Sequence, residues 1–237
     1  MKVFMKKILL ENGFSIDESC LKDEQAFQAD RLDGNGFDFL TVSFMNQDQM
    51  SEDTLMEYIE RFQSAVYEEK GAIVGMDKNL SLLIVLKVDS LDLPPAIQSL
   101  IFDIEEDPYT FKKYILAYTG EQESLLISLF KESDQNDVTS FFNKILYDTE
   151  KFSPFKNRET NENALVYDLV SKIFIKLPYL SIKNQHKEMD VLLNDIILGF
   201  AEDDRGTWDS LMRLRERKGS DPSIEEILKA VGVDDGN

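Results

Sequence analysis

The spacing of apolar residues changes period along this chain. Residues 1–12 read as a short amphipathic helix that Gly13 stops. Phe37, Phe39, Leu40, Val42 and Phe44 come close to alternation and are rich in aromatics, which predicts a strand over 37–45. It is entered through the turn sequence Asp33-Gly34-Asn35-Gly36. Leu55, Tyr58, Ile59, Phe62, Ala65 and Val66 then recur at helical spacing between the capping residue Ser51 and Gly71, with Glu52 and Asp53 at the positive end of the helix dipole. Residues 72–76 and 80–88 predict two more strands joined at Asp77-Lys78-Asn79, the second so uniformly apolar that both of its faces must be covered.

Pro94-Pro95 opens a short helix toward Phe102, and Glu105-Glu106-Asp107-Pro108 is a charged break. Residues 109–118 carry aromatics at 109, 111, 114 and 118 and lean toward a strand. From Glu121 onward the pattern is helical: 121–132, 137–148, 161–177, 188–203, 207–218 and 223–231. The last of these opens with Ser223 and Glu226 in capping-box spacing. Strands in the first half and helices in the second predict an α+β fold, with a small mixed or antiparallel sheet in the N-terminal half and a helical C-terminal half. The organisation expected is an α/β region over 1–132 and a helical region over 133–237, with Ser133-Asp134-Gln135-Asn136 as the boundary loop unless the two form one continuous domain.

Charge narrows the choice of partners. The chain has 237 residues and a formal net charge of -19, spread along its length. Such a field repels a phosphate backbone, so autonomous nucleic-acid binding is not expected and a basic protein surface is the easier partner. No stretch approaches the roughly 18 to 20 apolar residues that span a bilayer, and the short apolar run after Met1 is no secretory leader. A single cysteine, Cys20, excludes an internal disulfide framework and fits a reducing, cytoplasmic setting.

A search for chemistry yields little. His186 is the only histidine and lies in the polar stretch 183–187, so it reads as a solvated surface residue; one His and one Cys also exclude a zinc site of such ligands. No phosphate-cradling glycine loop is present, and residues 33–39 break the calcium-loop pattern. Asp77, Glu105, Glu106 and Asp107 with Lys112 and Lys113 could be assembled into a metal-dependent nuclease site, but the usual sign of that class, an acidic residue, one spacer and a lysine, is missing there: Asp77-Lys78 has no spacer, and Lys112 and Lys113 lack a carboxylate two residues upstream. The structural alternative is that Glu105–Asp107 cap the next element or pair with Lys112 and Lys113. No catalytic residue, cofactor site or metal site is therefore assigned. Partner-binding candidates are the one basic cluster, Arg213, Arg215, Arg217 and Lys218, together with Lys172 and Lys176, four apart on a helix face. The cluster also suits a helix C-terminus, where cations complement the dipole.

Three segments resemble a known family: Asp77-Lys78-Asn79-Leu80-Ser81-Leu82-Leu83-Ile84, Ile104-Glu105-Glu106-Asp107-Pro108-Tyr109-Thr110-Phe111-Lys112-Lys113-Tyr114 and Tyr167-Asp168-Leu169-Val170-Ser171-Lys172-Ile173-Phe174. They are similar to the middle component of bacterial ABC-ATPase three-component defence systems, the group that includes the Lamassu antiviral systems. The resemblance implies a non-catalytic accessory subunit that bridges an SMC-type coiled-coil ATPase and a nuclease effector, with DNA met only indirectly through the complex. It carries over no catalytic residues. A metal-dependent nuclease and an acidic DNA-mimic inhibitor are the alternatives.

Overall fold

The computed structural model describes residues 1–182 apart from 22, 34, 35, 72, 74 and 110, and beyond them residues 199, 202–215 and 227. Met1–Ile182 and Lys183–Asn237 are separate compact units. Helix α1 (Lys2–Glu11) buries Phe4, Met5, Ile8 and Leu9. It stops at Gly13, whose φ of +83° is a conformation that a Cβ would strain. Strands β1 (Ser15–Asp17), β2 (Ala26–Asp33) and β3 (Gly36–Asn46) then pair antiparallel in sequence order.

From β3 the chain changes style. Helix α2 (Glu52–Lys70), capped by Ser51 Oγ accepting from Thr54 N–H, crosses to β4 (Leu80–Val88), and α4 (Pro95–Glu106) crosses from β4 to β5 (Lys112–Thr119). Both pairings, β3 with β4 and β4 with β5, are parallel, so the five-stranded sheet is mixed, in the order β1-β2-β3-β4-β5. Two successive parallel crossovers that advance in the same direction leave their helices on the same face of a sheet. Leu55, Ile59, Phe62 and Val66 of α2 and Ile104 of α4 accordingly share a core with Leu82, Ile84 and Leu86 of β4 and Ile115 of β5.

The other face is covered from outside the crossovers. Leu40, Val42, Leu83, Val85, Leu116 and Tyr118 pack there against α1 and against the helices that follow the sheet. Those are α5 (Gly120–Glu132), α6 (Val138–Tyr147), α7 (Thr149–Lys156) and α8 (Glu162–Lys176). Each begins on a side-chain cap: Thr119 with Gln122 in a reciprocal capping box, then Asp137, Asp148 and Asn161. The mixed α/β architecture, with its sheet in the N-terminal half and helices following, is the one the sequence predicts. The helices through α8 share one compact unit with the sheet.

Differences in detail have physical causes. The strand expected at 72–76 is absent from the described residues: Gly75 turns with φ +86° and opens a one-turn helix, α3 (Met76–Asn79), with Met76 fully buried. Strand β2 escapes the sequence reading because its face toward α2 carries Gln28 and Asp30, polar residues that are nonetheless buried. Helix α7 holds Pro154 inside it, which reads as a breaker. In the second unit a helix runs over Glu202–Arg215, starting earlier than the expected 207. The predicted helix 188–203, apart from residues 199, 202 and 203, and all of 223–231 except Ile227 lie outside the described residues. Among the described residues no helix is long and apolar enough to cross a membrane.

Candidate functional site

The carboxylates and lysines singled out at the α4–β5 junction are engaged with one another. Lys113, the second residue of β5, has a side chain only 1% exposed and donates to Asp107 Oδ2 at 2.7 Å, the Tyr109 carbonyl at 2.7 Å and the Phe111 carbonyl at 3.2 Å. Its three N–H donors are thus used to fasten the loop 107–111 onto the strand. The Lys113 hydrogen bond, followed by that of Tyr109 N–H, holds the Asp107 carboxyl below its ordinary range. Glu105 Oε1 accepts from Ile115 N–H at 2.7 Å and from Lys176 Nζ at 2.5 Å, joining α4 to β5 and α8. Lys112 and Glu106 are exposed, and the side chain of Asp77 lies outside the described residues. A recess of about 680 Å³ lies beside this junction, lined by Lys78, Glu106, Pro108 and Lys112 among others. The segment therefore acts as a fastening, the structural alternative weighed from sequence.

Lys172 and Lys176 are both paired. Lys172 Nζ meets Asp168 Oδ2 at 2.6 Å, one turn back on α8, and that same carboxylate oxygen accepts from the buried Gln122 amide at 2.9 Å. Lys176 reaches Glu105, so these two cations tie α8 to α4 and α5. The three segments that carry the family resemblance thus meet around β4 and β5. Arg213 and Arg215 stand in the last turn of Glu202–Arg215, where the backbone alone is described; Arg217, Lys218 and His186 lie outside the described residues.

One set of candidate metal ligands occurs among the described residues: Asp17, Cys20 and Glu69, their ligand atoms within 4.8 Å of one another. Burial first, and then a hydrogen bond to Glu69, push the Cys20 thiol up to about 12, so without a bound cation it is a protonated thiol. Asp17 Oδ1 already accepts from Ser19 N–H, Ser19 O–H and Cys20 N–H. Beside this cluster, Lys70 of α2 pairs with Asp30, and Thr41 Oγ1 donates to Gln28 Oε1 at 2.7 Å while Gln28 Nε2 donates to Asp30 Oδ1 at 2.8 Å. Burial alone would pull the Lys70 ammonium down, but the hydrogen bond and charge of Asp30 outweigh it and the net shift is upward. These groups satisfy each other and present no reactive atom.

Among the described residues two further concavities stand out. On the face of the sheet bearing α2 and α4, a groove of about 550 Å³ has Met56, Ile59, Leu100 and Ile104 in its lining together with the acids Glu52, Glu60, Asp103 and Asp107. On the opposite face, a cavity of about 710 Å³ opens beside α1 and α5, at the carboxyl ends of β3 and β5. In open α/β sheets such crevices at strand carboxyl ends are the usual seat of ligands. None of its residues stands out in the sequence, because Lys2 and Lys7 read as the polar side of an amphipathic helix and Tyr118 as core.

Residues 38–150 match the family described as ABC-three component (ABC-3C) system Middle Component 1. The match supports a middle component of an ABC-3C system. It spans β3 through α6 and the first two residues of α7, and so takes in both crossovers and two of the three segments quoted from the sequence; the third, on α8, lies beyond it. No curated protein and no solved structure matches the chain. A middle component implies further components of a multi-subunit system, and the groove beside α2 and α4 falls within the matched Middle Component 1 region.

Proposed function

We propose that this chain is a non-catalytic accessory subunit of an antiviral or anti-plasmid defence complex of the ABC-3C type, bridging an SMC-type coiled-coil ATPase and a nuclease-type effector. The observation that carries the reading is the Middle Component 1 match over residues 38–150. Two further features support it. The carboxylates and lysines most suggestive of catalysis, Asp107 with Lys113 and Glu105 with Lys176, are spent on holding α4, β5 and α8 together. The net charge of -19 suits docking against basic surfaces of DNA-handling partners and disfavours direct contact with DNA.

In this reading the ATPase senses foreign DNA, and the subunit relays that state to the effector through contact surfaces. A Lamassu-type system is the specific assignment, and the basic cluster Arg213, Arg215, Arg217 and Lys218 is one docking face. The test is co-expression of the tagged chain with the products of neighbouring genes. An ATPase and an effector should co-purify with it, and charge reversal of Arg213, Arg215 and Arg217 together should weaken that assembly while the chain stays folded. Isolation of the chain alone from such a co-expression would sink the bridging role. Metal-dependent DNA cleavage by the chain alone, lost on Asp107→Ala, would replace it with the nuclease reading.

A further inference from the structure

The cavity beside α1 inverts the charge balance of the protein. Acids outnumber bases 45 to 26 over the chain, yet this cavity is lined by three lysines, Lys2, Lys7 and Lys131, against one carboxylate, Glu123. Glu123 is already neutralised by the Met1 amine. Lys2 donates to the Glu24 carbonyl, whereas Lys7 rests over the Phe130 ring, 5.3 Å from its centroid, with its ammonium otherwise open to solvent. Lys131, at the end of α5, is exposed.

The walls are apolar: Val3, Phe4, Phe44, Met45, Ile127 and Phe130. Val3, at the cavity mouth, is 67% exposed. Deeper in, Tyr118 at the end of β5 is 6% exposed and has no hydrogen-bond partner among the described residues. Burial first, and then the charge of Glu123, push its hydroxyl up to about 12, so it stays a neutral O–H donor at physiological pH. The hydroxyl belongs to a residue that lines the cavity, where an arriving oxygen can accept from it. The volume, about 710 Å³, falls among cavities that take one small ligand or a few side chains.

We propose that this cavity receives an acidic–hydrophobic segment of a partner polypeptide, with an apolar side chain between the walls and its flanking carboxylates on Lys7 and Lys131. The assignment rests on the reading that the chain works by binding partner proteins. Charge complementarity selects the occupant: a basic segment would meet three ammonium groups, and a neutral one would leave them unanswered. The Tyr118 hydroxyl supplies the inner hydrogen bond.

The test uses the full chain and three probes: the peptide acetyl-Glu-Phe-Leu-Glu-amide, its counterpart with lysine in place of both glutamates, and octanoate. Each is titrated calorimetrically into the wild-type chain, the double variant Lys7→Glu with Lys131→Glu, and a control variant, Lys144→Glu with Lys156→Glu. The control changes net charge equally at exposed positions outside the cavity. The acidic peptide should bind the wild type and the control saturably, bind the cavity variant at least about tenfold more weakly, and outcompete the lysine peptide. A Tyr118→Phe chain should also lose affinity while melting as the wild type does. Absence of saturable binding, indifference to the cavity variant, or an equal loss in the control would overturn the proposal. So would octanoate binding more tightly than the peptide, since the occupant would then be a free amphiphile. Co-purification of other components that survives the cavity variant would likewise leave the accessory role standing and remove this cavity from it.

Discussion

The two faces of the sheet are built on different principles. The face under α2 and α4 is made by the chain between β3 and β5, and it mixes apolar packing with a buried polar strip of Gln28, Asp30, Thr41 and Ser43. The face under α1, α5, α6 and α8 is assembled from segments far apart in sequence, and its buried polar side chains among the described residues, Gln122, Thr139 and Asn143, sit on the helices rather than on the sheet. There the polar work is done at the edges. Glu11, the last residue of α1, accepts from Val138 N–H and Thr139 N–H at 2.8 Å each and so caps α6 across 127 and 128 residues of chain. Where helices arrive by short crossovers, connectivity already fixes their position and the core can carry polar groups. Where they arrive from afar, apolar burial and long-range caps must do the positioning.

That contrast can be broken by substitution. The largest effect should come from Phe142→Ala: the ring is fully buried on the α1 side, between Phe4 and Phe141, and its loss should cost about 3–5 kcal/mol in urea or thermal unfolding. A loss below about 1 kcal/mol would mean that this core is loosely packed and the contrast is wrong.

On the α2 side, Lys70→Met strands the Asp30 carboxylate, whose side chain is 8% exposed, and should cost about 3 kcal/mol, the lower end for a broken buried pair because Lys70 keeps some contact with solvent. Combining it with Asp30→Leu should recover most of that loss. If the double variant is as unstable as the single one, the polar strip stabilises the fold in its own right. Glu11→Ala should cost about 1–2 kcal/mol, because it removes a cap from two backbone N–H groups of α6; a null result in the same assay would show that α6 is held by packing alone.

The smallest effect concerns pH. The folded carboxyl of Asp107 lies below its ordinary 3.8, so its contribution is complete above that value and fades as pH falls through the lower folded one. Asp107→Asn should therefore lower stability slightly at neutral pH, where the carboxylate contributes, and flatten the acid limb below about pH 4, where variant and wild type converge. An unaltered acid limb would mean that Lys113 holds the loop through its carbonyl contacts only.

Much of this fold is written in hydrophobic spacing. Helix α2 with Ser51 and Gly71, the all-apolar β4, and α5, α6 and α8 are legible because one face of each is uniformly apolar or both are. Strand β2 is not legible, since the partners of Gln28 and Asp30 lie on β3 and α2 and no local pattern announces them. The false strand at 72–76 arises because a short apolar run has no period, and Gly75 decides it by geometry. At the candidate site, the Glu105–Asp107 and Lys112–Lys113 segment is visible as a cluster of charge, but its purpose depends on which lysine points inward. The cavity beside α1 is invisible in sequence because its lining comes from four separate stretches of chain.

Lys112 and Lys113 are neighbours in sequence on opposite faces of β5, one exposed and one sealed. An amine-reactive label meets only the first in the folded protein. Acetylation of native protein followed by peptide mapping should mark Lys112 and spare Lys113, and the appearance of label on Lys113 would time the release of the 107–111 loop. This pair of amines is a built-in reporter of whether the α4–β5 junction is closed when other components engage it.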